Sequence, residues 1–163
     1  MPSWMQFLLD SVGTKTMVFI ISMIPLVELR GAIPVGVALG LSPTSSAVLS
    51  ILGGMAPMPF ILFGVRPVFE YLKGTRLFRR LVQQLTTRSL DKHGPTVRKY
   101  GPFGLLFFVA IPLPGTGVWS ASLIAALLGI RFKVAFPAIL VGNIVAGVIV
   151  ALASGGVVTI LAH

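Results

Sequence analysis

The sequence predicts an all-α integral membrane protein built as an inverted repeat, in which a re-entrant hairpin followed by a transmembrane helix occurs twice. Three observations lead there. The chain has 163 residues, 55% of them hydrophobic and 10% charged, with a mean hydropathy of +0.97. A soluble domain carries about 25% charged residues, so the composition reads as a single membrane domain over 1–163 rather than a soluble protein with an anchor. Two long apolar runs are each interrupted by a cluster of proline and glycine. The interruptions also repeat: Ile24-Pro25-Leu26 and Ile111-Pro112-Leu113 stand 87 residues apart, while Leu39-Gly40 and Leu128-Gly129, like Gly53 and Gly142, stand 89 apart. One crossing between the copies gives them opposite orientation, the arrangement of many secondary transporters.

The elements follow in order. Residues 3–12 read as a short interfacial helix with Trp4 as its anchor. Asp10 and Lys15 interrupt the first apolar run, and neither a basic segment nor a small-residue cleavage site frames it, so no cleavable signal is expected. The first broken run is 16–40, and 41–46 is an uncharged turn. Residues 47–65 form a transmembrane helix that Pro57 and Pro59 are expected to kink. The stretch 73–101 holds Lys73, Arg76, Arg79, Arg80, Arg88, Lys92, Arg98 and Lys99 against Asp91, most of the net charge of +9. A basic patch can mark nucleic-acid binding. Between apolar runs the positive-inside rule accounts for it more simply, so 73–101 reads as a cytoplasmic loop and no nucleic-acid partner is expected. Inside it Leu77, Phe78, Leu81, Val82 and Leu85 share one helical face. Such an amphipathic helix lies either on an anionic leaflet or on the protein's own surface. The second broken run is 102–130, and 134–161 is the last transmembrane helix.

Charge favours hairpins over full crossings for the broken runs. If 102–130 crossed outward, Arg131 and Lys133 would lie outside, against the positive-inside rule. If it dips in and returns, they join the other cytoplasmic charges. The same logic puts the 41–46 turn outside. Each arm of ~10–15 residues gives about 15–22 Å of helix, enough to reach the midplane but not to span.

Glu28 and Arg30 are the only charges in the first hairpin. Ionisable groups at membrane depth cost roughly 2.5 kcal/mol or more each and default to a functional role. Glu28 is the candidate titrating group for proton coupling, and Arg30 the candidate clamp for a phosphate or carboxylate head; the alternative is a structural pair that holds the break together. The second break, Pro112-Leu113-Pro114-Gly115-Thr116-Gly117, is neutral. It offers backbone groups, the Thr116 hydroxyl and the amides of a helix starting near Val118, where an anion is favoured; alternatively it is only a hairpin tip. Pro114, Gly115, Thr116 and Gly117 are therefore candidate substrate contacts, and Trp119 either lines the site or packs. Gly36, Gly40, Gly53, Gly142 and Asn143 are candidates for close helix packing and interhelical hydrogen bonding.

No cysteine and two histidines argue against a metal site. An intramembrane Ser-His-Asp hydrolase lacks its histidine, and no Gly-x-x-x-x-Gly-Lys-Ser/Thr loop is present. Neither an enzyme nor a cofactor is expected.

Glu28-Leu29-Arg30-Gly31-Ala32-Ile33-Pro34, and Ile111 to Trp119 followed by Ala125-Ala126-Leu127-Leu128-Gly129, resemble the putative small multidrug export protein family over about Ile20 to Gly156. That family in turn resembles the DedA/VTT superfamily, whose members are thought to carry two facing re-entrant hairpins and of which some move polyprenyl phosphates across bilayers. The resemblance implies a DedA-like fold in the plasma membrane of a prokaryote. It differs in that superfamily members carry acids and arginines in both hairpins, whereas here the second motif is neutral. Together these readings give a small secondary transporter or lipid flippase, proton-coupled through Glu28, whose amphipathic or lipid-like substrate binds between the two hairpins. The alternative is a non-transporting, membrane-organising protein with structural charges. Membrane lipids are expected partners in both, and small polytopic proteins often pair, which leaves a homodimer open.

Overall fold

The computed structural model describes residues 3–73, 87, 99–113 and 115–161. Most of the basic loop 73–101, its amphipathic segment and Pro114 lie outside the described residues. The described chain is helical, with no strand: α1 (Ser3–Ser22), α2 (Glu28–Ala38), α3 (Pro43–Met55), α4 (Met58–Lys73), α5 (Pro102–Ala110), α6 (Val118–Leu127) and α7 (Phe132–Leu161). Two of its stretches, Pro43–Val65 and Phe132–Gly156, are long and apolar enough to cross a membrane.

Helix boundaries follow local chemistry. Gly13, at φ 76° and ψ 151°, interrupts α1, a left-handed conformation that glycine adopts without a side-chain penalty. The turn expected at 41–46 is shorter than the sequence suggests, because α3 already starts at Pro43. Ser42 caps it by accepting the Ser45 N–H at 3.2 Å, and proline at the first helical position sacrifices no hydrogen bond. The kink expected from Pro57 is a break: α3 ends at Met55, the Ala56 N–H turns back to the Gly53 carbonyl at 3.2 Å, and α4 restarts at Met58.

Contacts divide the chain into two compact units. The first contains Met1–Ala56 and Ile144–His163, the second Pro57–Asn143. In the first unit α1, α2 and α3 pack against one another. Leu29, Ile33, Ala47 and Ala146 form a buried cluster, with Val37, Val150 and Ala151 packed on it. A chain in lipid gains little from hiding apolar surface, since acyl tails are as apolar as leucine, so small residues that admit close contact take over. Gly53 shows this. A Cβ there would collide with the Phe19 carbonyl and Ser22 Oγ of α1.

In the second unit α6 packs on α4 and α5. Met58, Ile61, Leu105, Val109, Ala121, Ile124, Ala135 and Ile139 are buried. Phe132 stacks on Phe63 with ring centroids 5.2 Å apart. Gly142 of α7 lies against α5: a Cβ there would stand 2.6 Å from the Leu106 carbonyl oxygen and 2.9 Å from Val109 Cβ.

Candidate functional site

The first break is a tight turn. The Val27 and Glu28 N–H groups both return to the Ile24 carbonyl, at 3.1 and 2.9 Å, around Pro25 and Leu26. Glu28 then takes φ 49°. A left-handed backbone on a residue with a Cβ costs about 1–3 kcal/mol. Glu28 is buried, and its Oε2 accepts a hydrogen bond from Arg30 Nη1 at 2.7 Å. In a regular helix, residues two apart point to different faces. The left-handed turn at Glu28 coincides with the two side chains meeting.

A buried ion pair adds little stability, because desolvating two charges offsets most of their attraction. The pair therefore concentrates three costs in one place: strain, desolvation and a broken helix. Gly53, which touches Ser22 just before the break, is ten residues beyond Pro43, about 15 Å of helix.

The second break carries its own lock. The Thr116 hydroxyl lies 2.7 Å from the Ile111 carbonyl oxygen and 2.8 Å from that of Leu113, sharing one proton between them, and accepts the Leu113 N–H at 3.2 Å. Thr116 and Gly117 are buried, Gly115 is exposed at φ 83°, and Trp119 is half-buried on the first turn of α6. The hydroxyl is thus engaged by the loop's own backbone. Gly142, beside the helix that leads into this break, is ten residues beyond Phe132.

A family model described as "Putative small multi-drug export protein" matches residues 28–149. The chain belongs to this family. No curated protein and no solved structure matches it. The match begins at Glu28, where the first break ends, spans the second break and ends within α7. With the two apolar stretches, it makes the chain a helical membrane protein.

Of the packing candidates, Gly36 faces α3, where a Cβ would meet Ser46 Oγ at 2.5 Å, and Asn143 is buried. Gly40 has no such neighbour. At φ 89° it ends α2: its N–H goes to the Val37 carbonyl at 3.0 Å and that of Leu41 to Gly36 at 2.9 Å, a helix-terminating pattern. Gly129 ends α6 the same way, with Gly129 N–H on Ala126 and Ile130 N–H on Ala125.

The structure adds polar residues that the sequence alone does not single out. Ser22, Ser46, Ser50 and Ser122 are fully buried. Ser22 Oγ donates to the Phe19 carbonyl at 2.7 Å, whereas the hydroxyls of Ser46, Ser50 and Ser122 have no hydrogen-bond partner among the described residues. The available signal was the four-residue spacing of Ser46 and Ser50 in an apolar helix, which puts both on one face.

Proposed function

We propose that this chain is a small secondary transporter of a prokaryotic plasma membrane, exporting an amphipathic substrate at the Glu28–Arg30 pair with proton coupling through Glu28. The substrate is a lipophilic drug or a polyprenyl-phosphate-type lipid. The family description supports export. The observation that carries the site is a strained, buried carboxylate 2.7 Å from a guanidinium at a helix break.

An anionic head group competes with Glu28 for the planar fork of Arg30, which matches phosphate and carboxylate. Once displaced, the Glu28 carboxylate is parted from the Arg30 guanidinium and is the group that takes up the coupled proton. A lipophilic cation does the reverse, replacing Arg30 at the Glu28 carboxylate. Either exchange couples head-group binding to the protonation of Glu28.

In this reading 16–40 and 102–130 are re-entrant hairpins of an inverted repeat of the DedA kind, with 73–101 cytoplasmic. Several correspondences support it. Gly53 and Gly142 each stand ten residues into an apolar stretch and abut the helix that precedes a break. A depth of about 15 Å is half of a ~30 Å hydrocarbon core. Phe19 and Ser22 touch Gly53 as Leu106 and Val109 touch Gly142, each pair 87 residues apart.

The test is flux in liposomes. Purified protein is assayed for pH-gradient-driven movement of a labelled polyprenyl phosphate and of a lipophilic cation. Wild type moves one of them, while Glu28→Gln and Arg30→Ala each lose at least about tenfold, the equivalent of 1.4 kcal/mol. Variants that transport like wild type would overturn the assignment. A second reading is favoured by the pair satisfying itself: the charges clamp the turn and the protein organises membrane. In that case neither substrate moves, and both variants melt lower.

A further inference from the structure

We infer that Ser46 and Ser50, with Ser22, form a hydrated hydroxyl file along α3 that brings water and protons from the Ser45 end of that helix toward Glu28 and Arg30. The inference rests on the reading of that pair as the working site.

Three observations carry it. Ser46 and Ser50 are fully buried and their hydroxyls have no partner among the described residues. In a dry core each would carry the full desolvation penalty of an unmade hydrogen bond, whereas alanine would fill nearly the same space without it. A buried polar group of this kind is ordinarily satisfied by water.

The hydroxyls are also in line. Ser42 and Ser45 are exposed at the start of α3 and hydrogen-bonded to each other at 2.9 Å. Ser46 and Ser50 follow one turn apart, about 6 Å of rise. Three residues further on, Gly53 abuts Ser22 Oγ, just before the turn that carries Glu28 and Arg30. Ser46 faces α2 at Gly36.

The second unit supplies an internal control. Ser46 and Ser50 stand seven and three residues before the packing glycine Gly53; Ala135 and Ile139 stand seven and three before Gly142. Both are fully buried. Val109 takes the place at Gly142 that Ser22 takes at Gly53. Helix packing around such a glycine therefore does not require hydroxyls. They accompany the break that carries charge, and the neutral break has valine, alanine and isoleucine instead. Ser122, the unpartnered buried hydroxyl of the second unit among the described residues, lies on α6 and not on this face.

The chain contains no cysteine, so single-cysteine accessibility tests the file directly and independently of transport. Ser46→Cys and Ser50→Cys are near-isosteric. Val48→Cys and Leu52→Cys, exposed on α3, are the lipid-facing controls. Each is treated in native membranes with a charged, impermeant methanethiosulfonate from the side on which Ser45→Cys reacts. The reagent needs the thiolate, which apolar surroundings suppress, so a hydrated file should make positions 46 and 50 react about tenfold or more faster than 48 and 52. Equal rates would overturn the inference. Should the cysteine variants not fold, Ser46→Ala/Ser50→Ala decides by thermal melting. A hydrated file predicts an unchanged or lower Tm, while a rise of several degrees means the hydroxyls were dry and unmade, and the file does not exist. Labelling at 46 and 50 with unaltered flux in Glu28→Gln would leave the file standing and remove the transport site.

Discussion

Replacing Gly142 by alanine should destabilise the protein, although alanine is the better helix former. The gain from helix propensity is about 1 kcal/mol. Against it stands the space available: the new Cβ would lie 2.6 Å from the Leu106 carbonyl oxygen, 2.9 Å from Val109 Cβ and 3.3 Å from the Ala110 nitrogen, where ordinary contact begins at 3.4 Å. The first and last of these are backbone atoms of α5, so no rotamer change relieves them, and the helices must part by about 0.8 Å. Overpacking costs about 1–3 kcal/mol, and the rigidity of the obstacle puts this case in the upper half. The net loss is then about 1–2 kcal/mol. Gly64 is the control. It lies within α4, and a Cβ added there would meet nothing within 4 Å, so Gly64→Ala should gain up to about 1 kcal/mol. At roughly 2–4 °C per kcal/mol for a chain of this size, the two variants should melt about 5–10 °C apart in detergent, with wild type between them. Shortening Val109 to alanine should not rescue Gly142→Ala, because the carbonyl remains. A Gly142→Ala protein that melts at or above Gly64→Ala would refute the close approach of α5 and α7.

Other consequences are as direct. Arg30→Ala strips the carboxylate of its cation, and removing one partner of a buried pair costs about 3–5 kcal/mol; the combined Glu28→Gln/Arg30→Ala variant, which leaves no lone buried charge, should recover part of the lost Tm, as a double-mutant cycle in thermal melts would reveal. Thr116→Val removes three contacts at 2.7–3.2 Å from the second break and should cost about 1–3 kcal/mol, with Thr116→Ser close to wild type in the same melts. Gly40→Ala forces a Cβ into φ 89° and should cost about 1 kcal/mol or more, whereas Gly156→Ala, in α7 with open space around it, should not lower the Tm.

How much was legible depended on whether a residue acts through its own covalent geometry or through a neighbour distant in sequence. Pro25, Pro112 and the glycines around them announce broken helices because ring closure and a missing Cβ act locally. The two charges of the first break stood out against an apolar run for the same reason. Their pairing was one of two readings open in the sequence; the left-handed Glu28 at which they meet was not legible, because helix geometry disfavours it for a residue with a Cβ. Ser42 sat in what reads as a serine-rich turn, yet one side-chain hydrogen bond makes it a cap and lengthens α3 by four residues relative to the expected start at 47. Gly36 and Gly40 form a familiar packing spacing, but only Gly36 packs while Gly40 terminates, and the pattern is identical for both until the backbone angle is known. Ser46 and Ser50 were invisible as buried groups because burial is a property of the fold around them.

The division of the chain at Ala56–Pro57 and again at Asn143–Ile144 has a consequence for how the protein is made. Leu29, Ile33 and Ala47 are synthesised before Ala146, with which they cluster, and before Val150 and Ala151, which cover them, with the whole of the second unit made in between. α2 and the start of α3 are therefore made, with the charged turn in place, before one wall of their cluster exists. These helices must wait for the time needed to make roughly a hundred residues, about 5–20 seconds at ordinary rates of synthesis. During that interval lipid or another chain has access to the surface that α7 later covers. Any factor that guards nascent membrane proteins would meet this one at Leu29 and Ile33, and a ribosome stalled before Ala146 would hold the chain in that open state.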